Sequence, residues 1–576
     1  MVREELKKSI NKALKELKLK EIEVNLEHPE ELSNGDYSTN VAMVLAKEAK
    51  QNPRDLASKI SDAIKTKLPK EIKKVEVAGP GFINFYLSDE FFIEKIKEIL
   101  KSKEKFGKTD LFSGQKFLIE HTQPNPFKEF HIGHLMNNAV GESISRIVRE
   151  NGADTKVVGY HGDVGLHVAK TIWAMLQENR TDFKEKDLNK KIQYLGSMYA
   201  RGDTAYELNE SAKKQIEEIN KEIYEKTDKD LNVLYDWGRE ASIEYLDSLY
   251  KRLGSNFDHQ FYESEVGDLG KEIVEKFLKK GVFEESEGAV VFKGEKFGQH
   301  TRVFINKLGI PTYEAKEIGL AELKRNFYKY DKSLTIVANE QNSFFDVVET
   351  AIGEVFPKLK GKLSHICHGV LKLSSGKMSS RTGTIISTEK LISDTKNKVL
   401  EKITTREFNE IEKDDIAEKV AIGAIRYSIL HQANGKDIIF DFDKSLSFEG
   451  DSGPYLQYSY ARAKSILRKA KEENIKPEVN EKQIKGRFGG EEGNELEKIL
   501  YRFPEIVERA GKEYSSHYIA TYLIELASTF NGFYSKNKIV DREDLDSPYK
   551  TALTEAFSIV VKNGLNLLGI VAPERM

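Results

Sequence analysis

The chain has 576 residues, and its 90 Lys and Arg against 93 Asp and Glu leave a formal charge of −3, so net charge gives no ground for nucleic-acid binding. With 39% hydrophobic and 32% charged residues, 13 Pro and 40 Gly, the composition excludes a disordered or collagen-like chain, and the length predicts three or more domains. Cys367 is the single cysteine, which excludes an internal disulfide, argues against a cysteine-based zinc site and points to the cytoplasm.

No run reaches the roughly 18 apolar residues that a membrane span needs. The most apolar stretch, FSIVVKNGLNLLGIVAP, is broken by Lys562, Asn563 and Asn566, so no membrane association is expected. At the start, Leu6, Ile10, Leu14 and Leu17 recur at spacings of three and four with charges between them, the pattern of an amphipathic helix. A polar loop (EHPEELSNGDYSTN), a helix (VAMVLAKEAK), a helix after Pro53 and the strand pair KVEVAGPGFINFYLS complete a unit over residues 1–110. Next come the apolar strand KFLIEH, a loop, a helix from Gly133 to about Asn151 and the strand TKVVGY, the start of a βαβ unit and a parallel sheet. Lysine- and glutamate-rich sequence from about 176 to 300, closing in a hairpin at GAVVFKGEKFGQHTRVFI, reads as an insertion before the strands SLTIVANE and LSHICHGVLKL; beyond Thr388 the chain reads as helix.

No GxxxxGK[ST] occurs, so a bound nucleotide needs another cradle. PNPFKEFHIGHLMNNAVGE offers one, because His131, Gly133 and His134 fall where a helix begins. Unpaired first-turn amides and the helix dipole favour a phosphate there. Two imidazoles on one side of the turn can donate to phosphate oxygens, and Gly133 lets a flat base approach. Downstream, SSGKMSSRTGT is a second cationic loop at the end of a strand. Each has a bland alternative, a histidine cap and a solvated surface loop; their order and their placement after apolar strands favour the nucleotide.

These two segments resemble the HIGH box and KMSKS loop of class I aminoacyl-tRNA synthetases, and EHTQPNPFKEFHIGHLMNNAVGE and GKMSSRTGTII are similar to the versions in arginyl-tRNA synthetases. AGPGFINFYLS, TYEAKEIGLA, ANEQN, GAIRY and FEGDSGPYLQYSYARAKSILRK extend the likeness along nearly the whole chain. The resemblance implies an α/β fold: a Rossmann-type catalytic domain over 111–400 carrying the insertion, an N-terminal α+β tRNA-binding domain over 1–110, a helical connection over 401–452 and an all-α anticodon-binding domain over 453–576. It implies arginyl adenylate formation from ATP, accompanied by Mg2+, and transfer to the 2′-hydroxyl of the terminal adenosine of tRNA(Arg), by a cytoplasmic monomer.

The residues implied are His131, His134 and Lys377 for catalysis, with Gly133, Met378 and Ser379 also at ATP. Glu120, Asn125, Tyr313, Glu317 and Gln341 are implied for L-arginine. Phe82 and Asn84 are implied for the tRNA D-loop, and Tyr455, Tyr458, Arg462, Tyr534 and Met576 for the anticodon region. Three departures stand out. Glu317 replaces the family's Asp. Ser380 takes the place of the second lysine of KMSKS, so that Lys128 and Arg381 are expected to restore the missing charge. GYHGDVGLH replaces a GDWG run, which leaves Asp163 and Gly165 outside the expected catalytic set; a metal site at His161, Asp163 and His167 is the minor alternative, disfavoured by irregular spacing.

Overall fold

A computed structural model describes residues 2–178, 187–374, 387–404, 407–479 and 494–576. The first unit packs the helices Val2–Glu16, Val41–Ala49 and Pro53–Lys65 on an antiparallel sheet in which Phe82–Leu87 lies between Tyr37–Thr39 and Ile72–Ala78. Leu6, Ile10, Leu14, Leu45, Ile60, Ile83 and Phe85 meet in its core. Tyr37–Thr39 falls in the stretch expected to be loop; its three residues are too few to show alternation, and pairing with Phe82–Leu87 makes the strand. Tyr501, far along the chain, joins this core, and the Tyr37 hydroxyl donates to Glu505, so the N-terminal unit is docked on the helix Phe503–Lys512.

The central sheet is parallel, in the order Leu363–His368, Lys332–Ala338, Lys116–Glu120, Asp154–His161, His259–Tyr262. Phe117, Leu118 and Ile119 are fully buried. Phe117 and Ile119 join the core beneath the helix Ile132–Glu150, while Leu118 joins Val266, Ile318 and Val347 on the other face. A sheet covered on both faces requires such an unbroken apolar run. The first of these five strands in sequence, Lys116–Glu120, is the middle one, so the order reverses beside it and a crevice opens at its carboxyl end.

Helices Leu188–Leu208, Glu210–Glu225 and Lys229–Leu253 form a body beside this sheet. The chain then returns to the sheet at His259–Tyr262, inside the stretch expected to be one continuous insertion. Four residues carry little period of their own, and Val158↔His259 to His161↔Tyr262 pairing places them. A three-stranded antiparallel sheet follows, with Ala289–Phe292 between Glu284–Ser286 and Arg302–Ile305, containing the expected hairpin. After Thr388 the described residues are mainly helical, except that Ile438–Phe440 pairs in parallel with Leu371–Leu373. Among the described residues no helix is long and apolar enough to cross a membrane.

Candidate active site

His131 is the N-cap of the helix Ile132–Glu150, and its Nδ1 accepts the Gly133 N–H at 3.1 Å, while His134 Nδ1 accepts the His131 N–H at 3.4 Å. One of the first-turn amides expected to face a phosphate, that of Gly133, is therefore already satisfied by an imidazole, as is the amide of the cap residue itself. The rings stack with centroids 3.7 Å apart and 19° between planes. Burial lowers both pKa values, His134 well below the usual value; Lys128 adds to the fall in both, and the His131 ring adds to it in His134. A neutral imidazole that accepts at Nδ1 carries its proton on Nε2. The cap thus fixes both rings as Nε2–H donors.

Lys377, Met378, Ser379 and Arg381 lie outside the described residues, but the end of that segment is placed: Ser387 bridges His131, and the Thr388 N–H donates to Phe130 O at 2.9 Å. Lys128 stands over the Tyr199 ring, 4.3 Å from its centroid, on the helix Leu188–Leu208. Burial lowers the Lys128 pKa, with Lys170 in the same sense and Asp203 opposing.

Glu120, 1% exposed, ends the middle strand. Its carboxylate accepts from Gln123 Nε2 at 2.6 Å and pairs with the Lys324 ammonium. Glu317 and Lys324, seven residues apart, share one face of the helix Tyr313–Phe327, Lys324 buried and Glu317 half-buried. The Glu317 pKa is pushed up to about 8, first by burial and then by the charge of Glu120, with Lys324 pulling it down. The strand and the helix therefore bring two of the expected acids together. Asn125 lies against Gly162, where an added Cβ would come 2.5 Å from its Oδ1 and 3.1 Å from Glu263 Oε2. Tyr313 is 69% exposed beside Lys316, and Gln341 is exposed on the turn after Lys332–Ala338.

The sequence did not single out Lys324, Lys316, Glu263 or Tyr160. Lys316 pairs with Glu263, and Tyr160 lies among Glu317, Glu263, Glu120 and Asp163, which with burial raise its pKa. The one local signal was two lysines on the apolar face of a helix. Asp163 is fully buried and accepts from Arg239 Nε at 2.8 Å, Ser264 N at 2.9 Å and Ser264 Oγ at 2.8 Å, which makes it a fastener between strand end and helices and not a free ligand.

Phe82 and Asn84 line a cavity of about 430 Å³ with Asn25, His28, Asn34 and Asn40. The Asn84 side chain is buried and its Oδ1 accepts from Ser38 Oγ at 2.7 Å. On the C-terminal helices Arg462 sits between two rings, 4.8 Å from Tyr458 and 5.3 Å from Tyr534, and donates to Asn531 at 2.5 Å. Tyr455 accepts from the same Asn531 at 3.0 Å. Met576 was expected at tRNA, but its side chain is buried in the cluster against which Tyr458 packs; an apolar chain end beside an apolar groove gains more by burial than by exposure.

A nucleotide-type parallel sheet, a helix capped by paired histidines at its switch point and a following segment tied to His131 define a class I aminoacyl-tRNA synthetase. The family described as tRNA synthetases class I (R), catalytic domain, matches residues 95–442; the Arginyl tRNA synthetase N terminal domain matches 4–87 and the DALR anticodon binding domain matches 456–576. The chain belongs to the arginyl-tRNA synthetase family. It is 31% identical to an arginine–tRNA ligase of Levilactobacillus brevis, covering 96% of both chains, and 32% identical to one of Treponema denticola, covering 96% of this chain and 95% of that one. The solved arginyl-tRNA synthetase of Thermus thermophilus is similar over 100% of both chains, with a TM-score of 0.81 and 25% identity.

Proposed function

We propose that this chain charges tRNA(Arg) with L-arginine in two steps. The arginine carboxylate attacks the α-phosphate of ATP, giving arginyl adenylate and pyrophosphate; the 2′-hydroxyl of the terminal tRNA adenosine then attacks the acyl carbon, and AMP leaves. The observation that carries this reading is the stacked pair His131 and His134, each with a fixed Nε2–H. Two preset donors stabilise charge developing on phosphate oxygens without reorganising, and no protein nucleophile is required. Gly133, Lys377, Met378 and Ser379 complete the ATP site in this reading, with Lys128 and Arg381 adding charge towards the pyrophosphate. Magnesium enters with the nucleotide, held by phosphate oxygens and water.

Arginine is assigned to Glu120, Asn125, Tyr313, Glu317 and Gln341, because Glu120, a buried carboxylate with fixed neighbours, and the half-buried Glu317 beside it match a guanidinium. The cavity at Phe82 and Asn84 suits an unpaired D-loop base, and the exposed Tyr534 beside Arg462 and Tyr458 suits splayed anticodon bases; Tyr455 and Met576 support that face from behind. In this reading residues 1–110 and 453–576 hold the tRNA, 111–400 perform the chemistry, 401–452 connect them, and the enzyme works as a cytoplasmic monomer. Aminoacylation of total tRNA with each of the twenty amino acids tests it: arginine alone is expected to be attached. Another amino acid charged in preference to arginine would overturn the assignment.

A further inference from the structure

Lys324 is 6% exposed and its ammonium pairs with Glu120, which is 1% exposed. The other Glu120 oxygen accepts from Gln123 at 2.6 Å. A guanidinium reaching this carboxylate therefore meets one whose geometry is already set by two donors. The groups facing Lys324 are Glu120 from the middle strand, Glu317 from its own helix and Tyr330 from the segment that leads into the next strand. Those facing Glu317 are Glu120, Lys324, Glu263, Glu314 and Tyr160. Lys316, the other buried lysine of this helix, is taken by Glu263.

Two acids set close together in a poorly solvated site cannot both remain ionised without a compensating charge. Lys324 supplies one positive charge and a guanidinium supplies the second, so the complex of Glu120, Glu317, Lys324 and arginine is balanced. Resting on the reading that Glu120 and Glu317 face the substrate guanidinium, we propose that Lys324 is a positioning residue that sets arginine affinity: it anchors Glu120 and gives the acid pair the countercharge that matches it to a guest with a single positive charge. Its partners are the acid pair and Tyr330, so its effect is expected on arginine binding and not on the chemical step.

The test is steady-state aminoacylation with arginine varied, at saturating ATP and tRNA(Arg), for wild type, Lys324→Met, Lys324→Arg and Glu317→Gln, with thermal melts of each. Lys324→Met is expected to raise the arginine KM about tenfold or more while kcat changes by less than about threefold. Lys324→Arg, which keeps the charge, is expected to recover most of that loss. If Lys324→Met does not fold, Lys324→Gln, which keeps a donor and removes the charge, carries the same expectation. An unchanged arginine KM in a folded variant, or a fall in kcat with KM intact, overturns the proposal. Glu317→Gln separates it from the reading beneath it. A raised KM there with a normal KM in Lys324→Met sinks only the role of Lys324, whereas a normal KM in Glu317→Gln removes the acid pair from the arginine site.

Discussion

The Lys128 ammonium lies 4.3 Å from the centroid of Tyr199, so a helix of the inserted body holds the cation that precedes the HIGH segment. Lys128 also lowers the pKa of His131 and His134, which places its charge at the paired rings. Lys128→Ala is expected to slow tRNA-dependent ATP–pyrophosphate exchange by about a hundredfold or more while arginine affinity stays within about twofold. Tyr199→Leu, which removes only the ring face, should cost roughly tenfold or less. A normal exchange rate in Lys128→Ala would remove it from the mechanism.

His131 serves both as a helix cap and as an Nε2–H donor, and these roles can be separated. Asn is itself a good N-cap but does not reach as far as Nε2. His131→Asn should keep the melting temperature close to wild type and lose about a hundredfold or more in adenylate formation. His131→Ala should lose the rate and about 1 kcal/mol of stability as well. Equal melting temperatures for the two variants would show that the cap carries no stability.

On the proposal that Glu317 faces the arginine guanidinium, its pKa, pushed up to about 8 by burial and by Glu120, predicts arginine binding that depends on pH. Below that value the free enzyme holds Glu317 mostly protonated, and a guanidinium favours the ionised form, so binding releases a proton. The arginine KM is expected to fall as pH rises from about 7 to about 8.5, by up to roughly tenfold. In Glu317→Gln the slope should disappear. A flat wild-type profile would show that Glu317 is already ionised in the free enzyme.

His121, His161 and His167 have pKa values lowered from 6.5 to about 4, with burial as the first cause in each. The unfolded chain binds more protons than the folded one between those values, so their contribution is complete above about pH 6.5 and is lost as pH falls towards 4. Each site is expected to cost about 2 kcal/mol near pH 5. His161, 1% exposed, is the site to test. Melts from pH 7.5 to 5 should show a shallower slope in His161→Leu, and an unchanged slope would assign the acid sensitivity to other groups.

Phe82 is 38% exposed at the rim of a cavity lined by amides. Phe82→Ala should raise the KM for tRNA(Arg) by about fivefold to a hundredfold, the range of one lost base stack, with the arginine KM unchanged. An equal rise in both constants would mean that the N-terminal unit had lost its fold.

Much of the site was legible because its signals are local. His131, Gly133 and His134 announce a helix start after an apolar strand, and that is where the helix Ile132–Glu150 begins. Glu120 could be placed at a strand end for the same reason, since KFLIE ends its apolar run there. What could not be read was who occupies whom. Nothing in the order of residues says that Lys324 takes Glu120, that Tyr199 faces Lys128, or that Arg462 lies between Tyr458 and Tyr534.

By itself the chain determined the α/β class, the place of the paired histidines and the helical character of its last third, because periodic burial and capping act over a few neighbouring residues. The tertiary structure decided the strand order, the return of His259–Tyr262 to the sheet, the burial of Met576 and the capture of Glu120 by Lys324. Those depend on packing and desolvation between segments far apart in sequence, where a short strand or a buried charge has no stable meaning until its partner arrives.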